Sequence, residues 1–196
     1  LLDELAILIP LSLLAMAAVF FVRYRSSAAV LLPLCEVGAA LIFTLGCMGY
    51  ANVPIYLTVT VMPAILAAVG ITDEIHLFAR YDASLRVAPM MDRRARVLAL
   101  MTELTPAMLK ASLTTAIGFL SFAAATIPAV QAFGIFTAIG TLYCLVYTLT
   151  VIPALLVLNP AHRLVPTRRV DAAGPARTPW AARVGMWAAA RRGRIA

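Results

Sequence analysis

Charge is scarce in this sequence: Asp, Glu, Lys and Arg together supply 13% of its 196 residues, where soluble domains carry about a quarter. A chain so poor in charge is not an ordinary water-soluble domain. Histidine is nearly missing, with only His76 and His162 present, and without a His-Glu-x-x-His pairing there is no basis for a zinc hydrolase site. The three cysteines, Cys35, Cys47 and Cys144, each fall inside an apolar block. They read as small core residues and supply neither a disulfide framework nor a metal cluster. Ser/His/Asp arrangements and glycine-rich phosphate loops are equally lacking, so the chain is expected not to be an enzyme and to need no cofactor and no metal. Its first residue is Leu1, with no initiator Met, charged leader or cleavage pattern before the apolar run. It is therefore expected to be a piece cut from a longer protein.

What the chain has instead is apolar length. Hydrophobic residues make up 63% of it, gathered in five blocks at about 5–22, 28–48, 55–77, 109–125 and 131–158. A bilayer-spanning helix needs about 20 mostly apolar residues, and each block reads as one. Transmembrane strands would alternate apolar and polar residues over about ten positions, which these blocks do not. The expected fold is all-α, a polytopic membrane helix bundle of five spans.

The formal net charge of +7 invites a nucleic-acid partner, but the basic residues are not interleaved with aromatics on a soluble fold. They sort by loop. Arg23 and Arg25 follow the first block; Arg80, Arg86, Arg93, Arg94, Arg96 and Lys110 belong to the third connection; the remaining arginines lie in the tail after Leu158. The second connection, at 49–54, and the fourth, at 126–129, hold none. With five spans, all 16 basic residues fall on one side, while Asp3 and Glu4 lie on the other. This is the positive-inside pattern, so the basic loops and tail are expected to face the cytoplasm and anionic lipid headgroups.

The stretch 78–105 is polar but carries Val87, Met90, Met91, Val97, Leu98, Met101 and Leu104 at mostly helical spacing. It is expected to be an amphipathic helix on the cytoplasmic surface, with Pro106 turning the chain into the fourth span. The Pro- and Arg-rich residues 159–196 read as a basic cytoplasmic linker, in which 180–194 forms a second interfacial helix anchored by Trp180 and Trp187. Pro33, Pro63 and Pro153 sit inside spans as kinks. Small-residue runs at 38–40, 67–70 and 134–140 allow close helix approach.

Ionisable groups inside a span are costly and usually mark a functional path. The candidates are Glu36, Asp73, Glu74 and His76. At about 100° per residue, Thr72, Asp73 and His76 share a face expected to point into the bundle, with Glu74 about a quarter-turn away. Counting from the basic boundaries at about 1.5 Å per residue, Glu36, Asp73, Thr114 and Thr115 all fall about 6–12 Å above the cytoplasmic edge, a candidate polar layer. Asp73 reads as a carboxylate that binds and releases a proton, since burial favours the neutral form of an acid, and His76 is placed to share or relay that proton. For Glu36 and Glu74 the plainer reading prevails: a structural hydrogen-bond network, or, for Glu74, hydration near the cytoplasmic end.

The run Met62-Pro63-Ala64-Ile65 leading to Gly70-Ile71-Thr72-Asp73-Glu74-Ile75-His76-Leu77-Phe78-Ala79-Arg80-Tyr81 resembles the fourth transmembrane helix of RND-superfamily exporters. It is nearest the MMPL-type, hopanoid-transporter and Patched-like branch, with its pattern of roughly G-x-x-D-D-x-x-H-x-x-x-R-Y. Residues 112–122 resemble that group's fifth helix and residues 133–156 its sixth. The resemblance covers about 1–158 and identifies the chain with the second to sixth helices of such a protein's first half. It implies a first helix, periplasmic domains and a homologous second half beyond this sequence. It further implies export of lipids or other hydrophobic cargo driven by the proton motive force across a bacterial inner (plasma) membrane, with Asp73 as the proton-relay carboxylate and Thr72, Glu74 and His76 around it. Relatives occur as trimers and in other assemblies, which leaves a homo-oligomer open. This chain departs from the pattern by a shift of one position: where many members carry the two adjacent acids it has Thr72 then Asp73, with Glu74 following, so the charge count is kept.

Two other readings compete. A sterol- or lipid-sensing domain would share the helices without moving cargo, but would have no need of Asp73 at that depth. An intramembrane aspartyl protease would need a second converging carboxylate and a Gly-x-Gly-Asp setting, whereas Gly70-Ile71-Thr72 precedes Asp73.

Overall fold

The computed structural model describes residues 27–158 without a break, and before them only Ile7, Pro10, Leu11, Leu13, Leu14, Ala15, Ala17, Ala18 and Phe21, all helical. The expected first span at 5–22 lies outside the described residues apart from those positions, and the expected linker and second interfacial helix within 159–196 lie wholly outside them. The described chain is helical, with no strand, in the order α1 (Ser27–Tyr50), a 3-10 turn (Leu57–Val61), α2 (Met62–Val87), α3 (Arg93–Leu120), a second 3-10 turn (Ser121–Ala124) and α4 (Pro128–Leu158). Four candidate membrane spans result among the described residues: Val30–Tyr50, Leu57–Val87, Arg93–Ala124 and Pro128–Leu158. The all-α polytopic bundle is thus the observed fold.

Local chemistry sets the helix ends. At the close of α1, Asn52 adopts φ 52°, a left-handed conformation that asparagine tolerates better than most residues. Its N–H donates to Gly49 O at 3.1 Å and that of Val53 to Met48 O at 3.0 Å, a Schellman motif that satisfies the last carbonyls. Pro63 is not a mid-span kink: it occupies the first turn of α2, where its missing N–H costs nothing. The Thr58 hydroxyl donates to Ala129 O at 2.9 Å, joining the 3-10 turn before α2 to the start of α4. Pro33, Pro106 and Pro153 do lie within helices.

The polar stretch 78–105 is not a separate surface helix. It is the end of α2 and the beginning of α3, folded back on each other through residues 88–92. With 26 and 28 residues these helices run about 39 and 42 Å, longer than the roughly 30 Å apolar core of a bilayer, and the excess length lies at their Arg-rich ends. The fold-back occurs there because Pro89 disfavours helical geometry at the preceding residue, and Ala88 takes φ −132° and ψ 71°. Asp92 then caps α3, its side chain accepting from the backbone N–H of Arg94 and Ala95 at 3.1 and 3.4 Å. Pro106 marks no turn: α3 continues through it.

Arg96, expected with the other arginines at the cytoplasmic surface facing lipid headgroups, is 2% exposed. Its guanidinium donates to Ser84 Oγ (3.2 Å), Ala88 O (2.6 Å) and Met91 O (3.2 Å), fastening the α2–α3 turn from inside. Arg93 ties the same end to α4 by donating to Val157 O at 3.0 Å.

α4 packs against α1, α2 and α3 alike. Its glycines make this possible. A Cβ at Gly134 would stand 2.5 Å from both Phe119 O and Phe122 Cβ, and one at Gly140 would stand 2.8 Å from Leu66 and 2.9 Å from Thr44 Oγ1. Gly38, in another small-residue run, meets nothing within 4 Å and is not used for packing among the described residues.

Replacing Gly134 by Ala drives a methyl group into a backbone carbonyl that cannot rotate away, and is expected to cost about 1–3 kcal/mol. Gly38→Ala is expected to be neutral or slightly stabilising. Thermal unfolding of the detergent-solubilised protein distinguishes the two, and equal melting temperatures would show that α4 does not approach α3 this closely. Arg96→Met strands the Ala88 and Met91 carbonyls and is expected to destabilise by about 2–3 kcal/mol in the same assay. Arg94→Met, which removes an exposed arginine of the same turn, is expected to change little.

Candidate functional site

The buried face of α2 consists of Met62, Pro63, Leu66, Ala67, Gly70, Asp73, Glu74, Leu77, Phe78 and Tyr81. The spacing is that of a core stripe, and Asp73 and Glu74 occupy the rung two turns after Leu66–Ala67 and one turn before Leu77–Phe78. Asp73 is 7% exposed and Glu74 0%. Thr72 and His76, by contrast, are exposed on this chain, and the Thr72 hydroxyl turns back onto Ala68 O at 2.8 Å. The expected inward face of Thr72, Asp73 and His76 is therefore rotated: Glu74 is inside and the other two flank Asp73 from outside. Hydration of Glu74 near the helix end does not apply, because the apolar stripe rather than distance from the loop sets its orientation.

The two adjacent acids enter different surroundings. Asp73 faces α3, where Ser112 Oγ donates to its Oδ2 at 3.3 Å. It borders a cleft of about 370 Å³ between α2 and α3, lined also by Ile65, Val69, Thr72, Thr115 and Phe119. Glu74 faces the interior, toward α1 and α4. There Glu36, 0% exposed, accepts from Thr148 Oγ1 at 2.9 Å, and its carboxyl group lies within hydrogen-bonding reach of that of Glu74. Gly70, one turn before Glu74, faces the same pair of α1 residues: a Cβ there would sit in ordinary contact with Glu36 Oε1 at 3.6 Å and tight against Val37 Cγ2 at 3.3 Å.

The expected polar layer is thus only partly assembled. Glu36 belongs to the interior with Glu74, Thr115 borders the cleft with Asp73, and Thr114 is exposed, its hydroxyl spent on Lys110 O and Ala111 O at 2.9 and 2.8 Å. Two partners were not singled out from sequence, Ser112 and Thr148. Ser112 stands one helical turn before Ala116 on the buried side of α3, and Thr148 recurs with Thr137, Thr141, Cys144 and Leu145 on the buried side of α4. Among the described residues no three His, Cys, Asp or Glu side chains are grouped to hold a metal ion.

The family model described as MMPL family matches residues 3–194. A membrane protein of Methanocaldococcus jannaschii is 29% identical over 150 residues, covering 76% of this chain. The chain spans 38% of that relative's length. No solved structure gives a significant match. With four long apolar helices among its described residues and a family match running nearly end to end, the chain is a member of the MMPL family.

Proposed function

We propose that this chain is the proton-coupling membrane part of an exporter of lipids or other hydrophobic compounds driven by the proton motive force, with Asp73 as its relay carboxylate. Family membership supports a transporter-like membrane protein. The observation that carries the finer reading is Asp73 itself. It is a carboxylate in the core stripe of a membrane-spanning helix, held by a single hydroxyl and bordering a cleft. Neither of the ion pairs among the described residues, Arg80–Glu103 and Arg86–Asp82, involves it. A charged acid at such a place costs about 3 kcal/mol or more, and binding a proton removes that cost. Water or a further polar group entering the cleft would let the proton leave.

In this reading Ser112 steadies the ionised state, Thr72 and Thr115 supply polar edges to the cleft, and His76, one turn further along the helix, takes up or delivers the proton. The exposed α2–α3 face is where the rest of the protein, including a homologous second half, would complete the relay. The basic loops face the cytoplasm of a bacterial plasma membrane, membrane lipids surround the helices, and no enzymatic step is involved. A sterol- or lipid-sensing domain that moves nothing keeps the same bundle but gives Asp73 no task.

Lipid-triggered proton flux in proteoliposomes holding the full-length protein is expected to fall at least tenfold in Asp73→Asn and less in Ser112→Ala. Flux unchanged in Asp73→Asn removes Asp73 from the mechanism, and none in either protein favours the sensor. For orientation, a cysteine placed at Ala88, in a background with Cys35, Cys47 and Cys144 replaced by alanine, is expected to react with an impermeant thiol reagent only from the cytoplasmic side. One placed at Ala51 is expected to react only from the opposite side. Labelling of both from one side would overturn the topology.

A further inference from the structure

The interior acids are not used by the Asp73 relay. Glu36 and Glu74 come from different helices, α1 and α2, and are both fully buried. Of their four carboxyl oxygens, Glu36 Oε1 accepts from Thr148, while Glu36 Oε2 and both oxygens of Glu74 meet no hydrogen-bond donor. Buried polar atoms are rarely left so, and three of them converge here. The two groups face each other within hydrogen-bonding reach, and Gly70, one turn before Glu74, lies beside Glu36 Oε1.

Among the described residues the surroundings offer no compensating cation. On α1 the neighbouring titratable group is Cys35, on α2 it is Asp73 with His76 beyond it, and on α4 they are Cys144 and Tyr147. α3 directs Ser112 to Asp73 rather than to this pair. Among the described residues, arginine pairs only with Glu103 and Asp82. Two ionised carboxylates in contact inside such a site repel each other and lack solvation. A hydrogen placed between them cures both faults: the protonated carboxyl becomes a donor, the other accepts, and an oxygen on each gains a partner.

We infer that Glu36 and Glu74 form a second proton-binding site, in which one proton is held between two carboxyl groups at the junction of α1, α2 and α4, apart from Asp73. The step is proton binding alone: a carboxylate oxygen takes up H⁺ to become the O–H that donates to the facing carboxylate, and releases H⁺ in reverse. The metal-ligand grouping that would favour a multivalent ion is lacking among the described residues. Because the proton joins residues of two helices braced on a third, its presence is linked to how α1 seats on α2. The inference is separate from the Asp73 relay and stands or falls without it.

The test is infrared spectroscopy of the purified full-length protein in lipid nanodiscs at neutral pH, in sodium-free potassium buffer. A protonated-carboxyl C=O band that shifts in D2O and also on labelling with carboxyl-¹³C glutamate, which sets it apart from any band of Asp73, is expected in the wild type. It is expected to disappear in Glu36→Gln and in Glu74→Gln, whose amides keep the shape and can donate across the pair, and to persist in Asp73→Asn. A band retained in both glutamine variants, or lost only in Asp73→Asn, overturns the proposal. So does a wild-type band abolished by adding sodium chloride, which would make the pair a sodium site. Thermal unfolding checks that the variants fold. Should one fail, labelling the wild type with carboxyl-¹³C glutamate decides the matter: a band that does not move is not glutamate, and one that moves and resists sodium supports the shared proton. None of these readouts depends on transport, so a failed flux experiment with Asp73→Asn leaves them unaffected.

Discussion

Lipid tails are as apolar as leucine, so helices within a bilayer cohere through close fit rather than through expulsion of water. In this bundle the fit is made by α4. Gly134 brings it against the end of α3, and Gly140 brings it against Leu66 of α2 and Thr44 of α1. The other arrangements follow from that seating. Thr148 and Cys144 lie on the same buried face of α4 as Gly134 and Gly140, and only because that face is pressed inward can Thr148 reach Glu36 on α1. A bulkier α4 would stand away from all three neighbours and leave the acids of α1 and α2 without their ceiling.

Against that packing, α2 performs a sorting of charge that its neighbours make meaningful. Two consecutive acids on one helix point about 100° apart, and the helices around α2 give each a different environment. Asp73 has a serine and a cleft; Glu74 has a second acid and no opening among the described residues. What looks in the primary structure like one acidic spot is two sites with different partners, close enough that each feels the other's charge.

Much of the architecture could be read before any coordinates. Apolar runs of membrane length specify the spans, and each of the four that lies among the described residues is a helix. The Arg-poor connection at 49–54 is a tight turn, and Asn52 is the residue type that its left-handed corner favours. Where the reading went astray, a specific competing force was at work. The amphipathic pattern in 78–105 is real, but it belongs to two helices whose ends pack on each other, and Pro89 with Asp92 is the punctuation that separates them. Arg96 looked like a headgroup-facing charge because nothing local shows that three backbone and side-chain oxygens of a turn would converge on it. The orientation of Glu74 was legible in principle: the stripe from Leu66 to Tyr81 passes through it. Measuring angles from Asp73 rather than from the apolar stripe hid it. The partners Ser112 and Thr148 come from residues 39 and 112 positions away, and single-chain periodicity carries no information about contacts at that range.

The Arg96 fastening also shapes what the cleft can do. α2 and α3 are riveted to each other at the turn end, by a buried guanidinium gripping the connecting segment, and the cleft beside Asp73 lies further along the same pair. Two rods pinned at one end separate only by rotating about the pin, and the gap then widens in proportion to distance from it. Asp73 is 15 residues before Ala88 along α2, about 22 Å from the pin at helical rise, so a few degrees of splay would shift its opening to α3 by an ångström or two. The hairpin is, in mechanical terms, a pair of tweezers with a carboxylate set partway along one jaw.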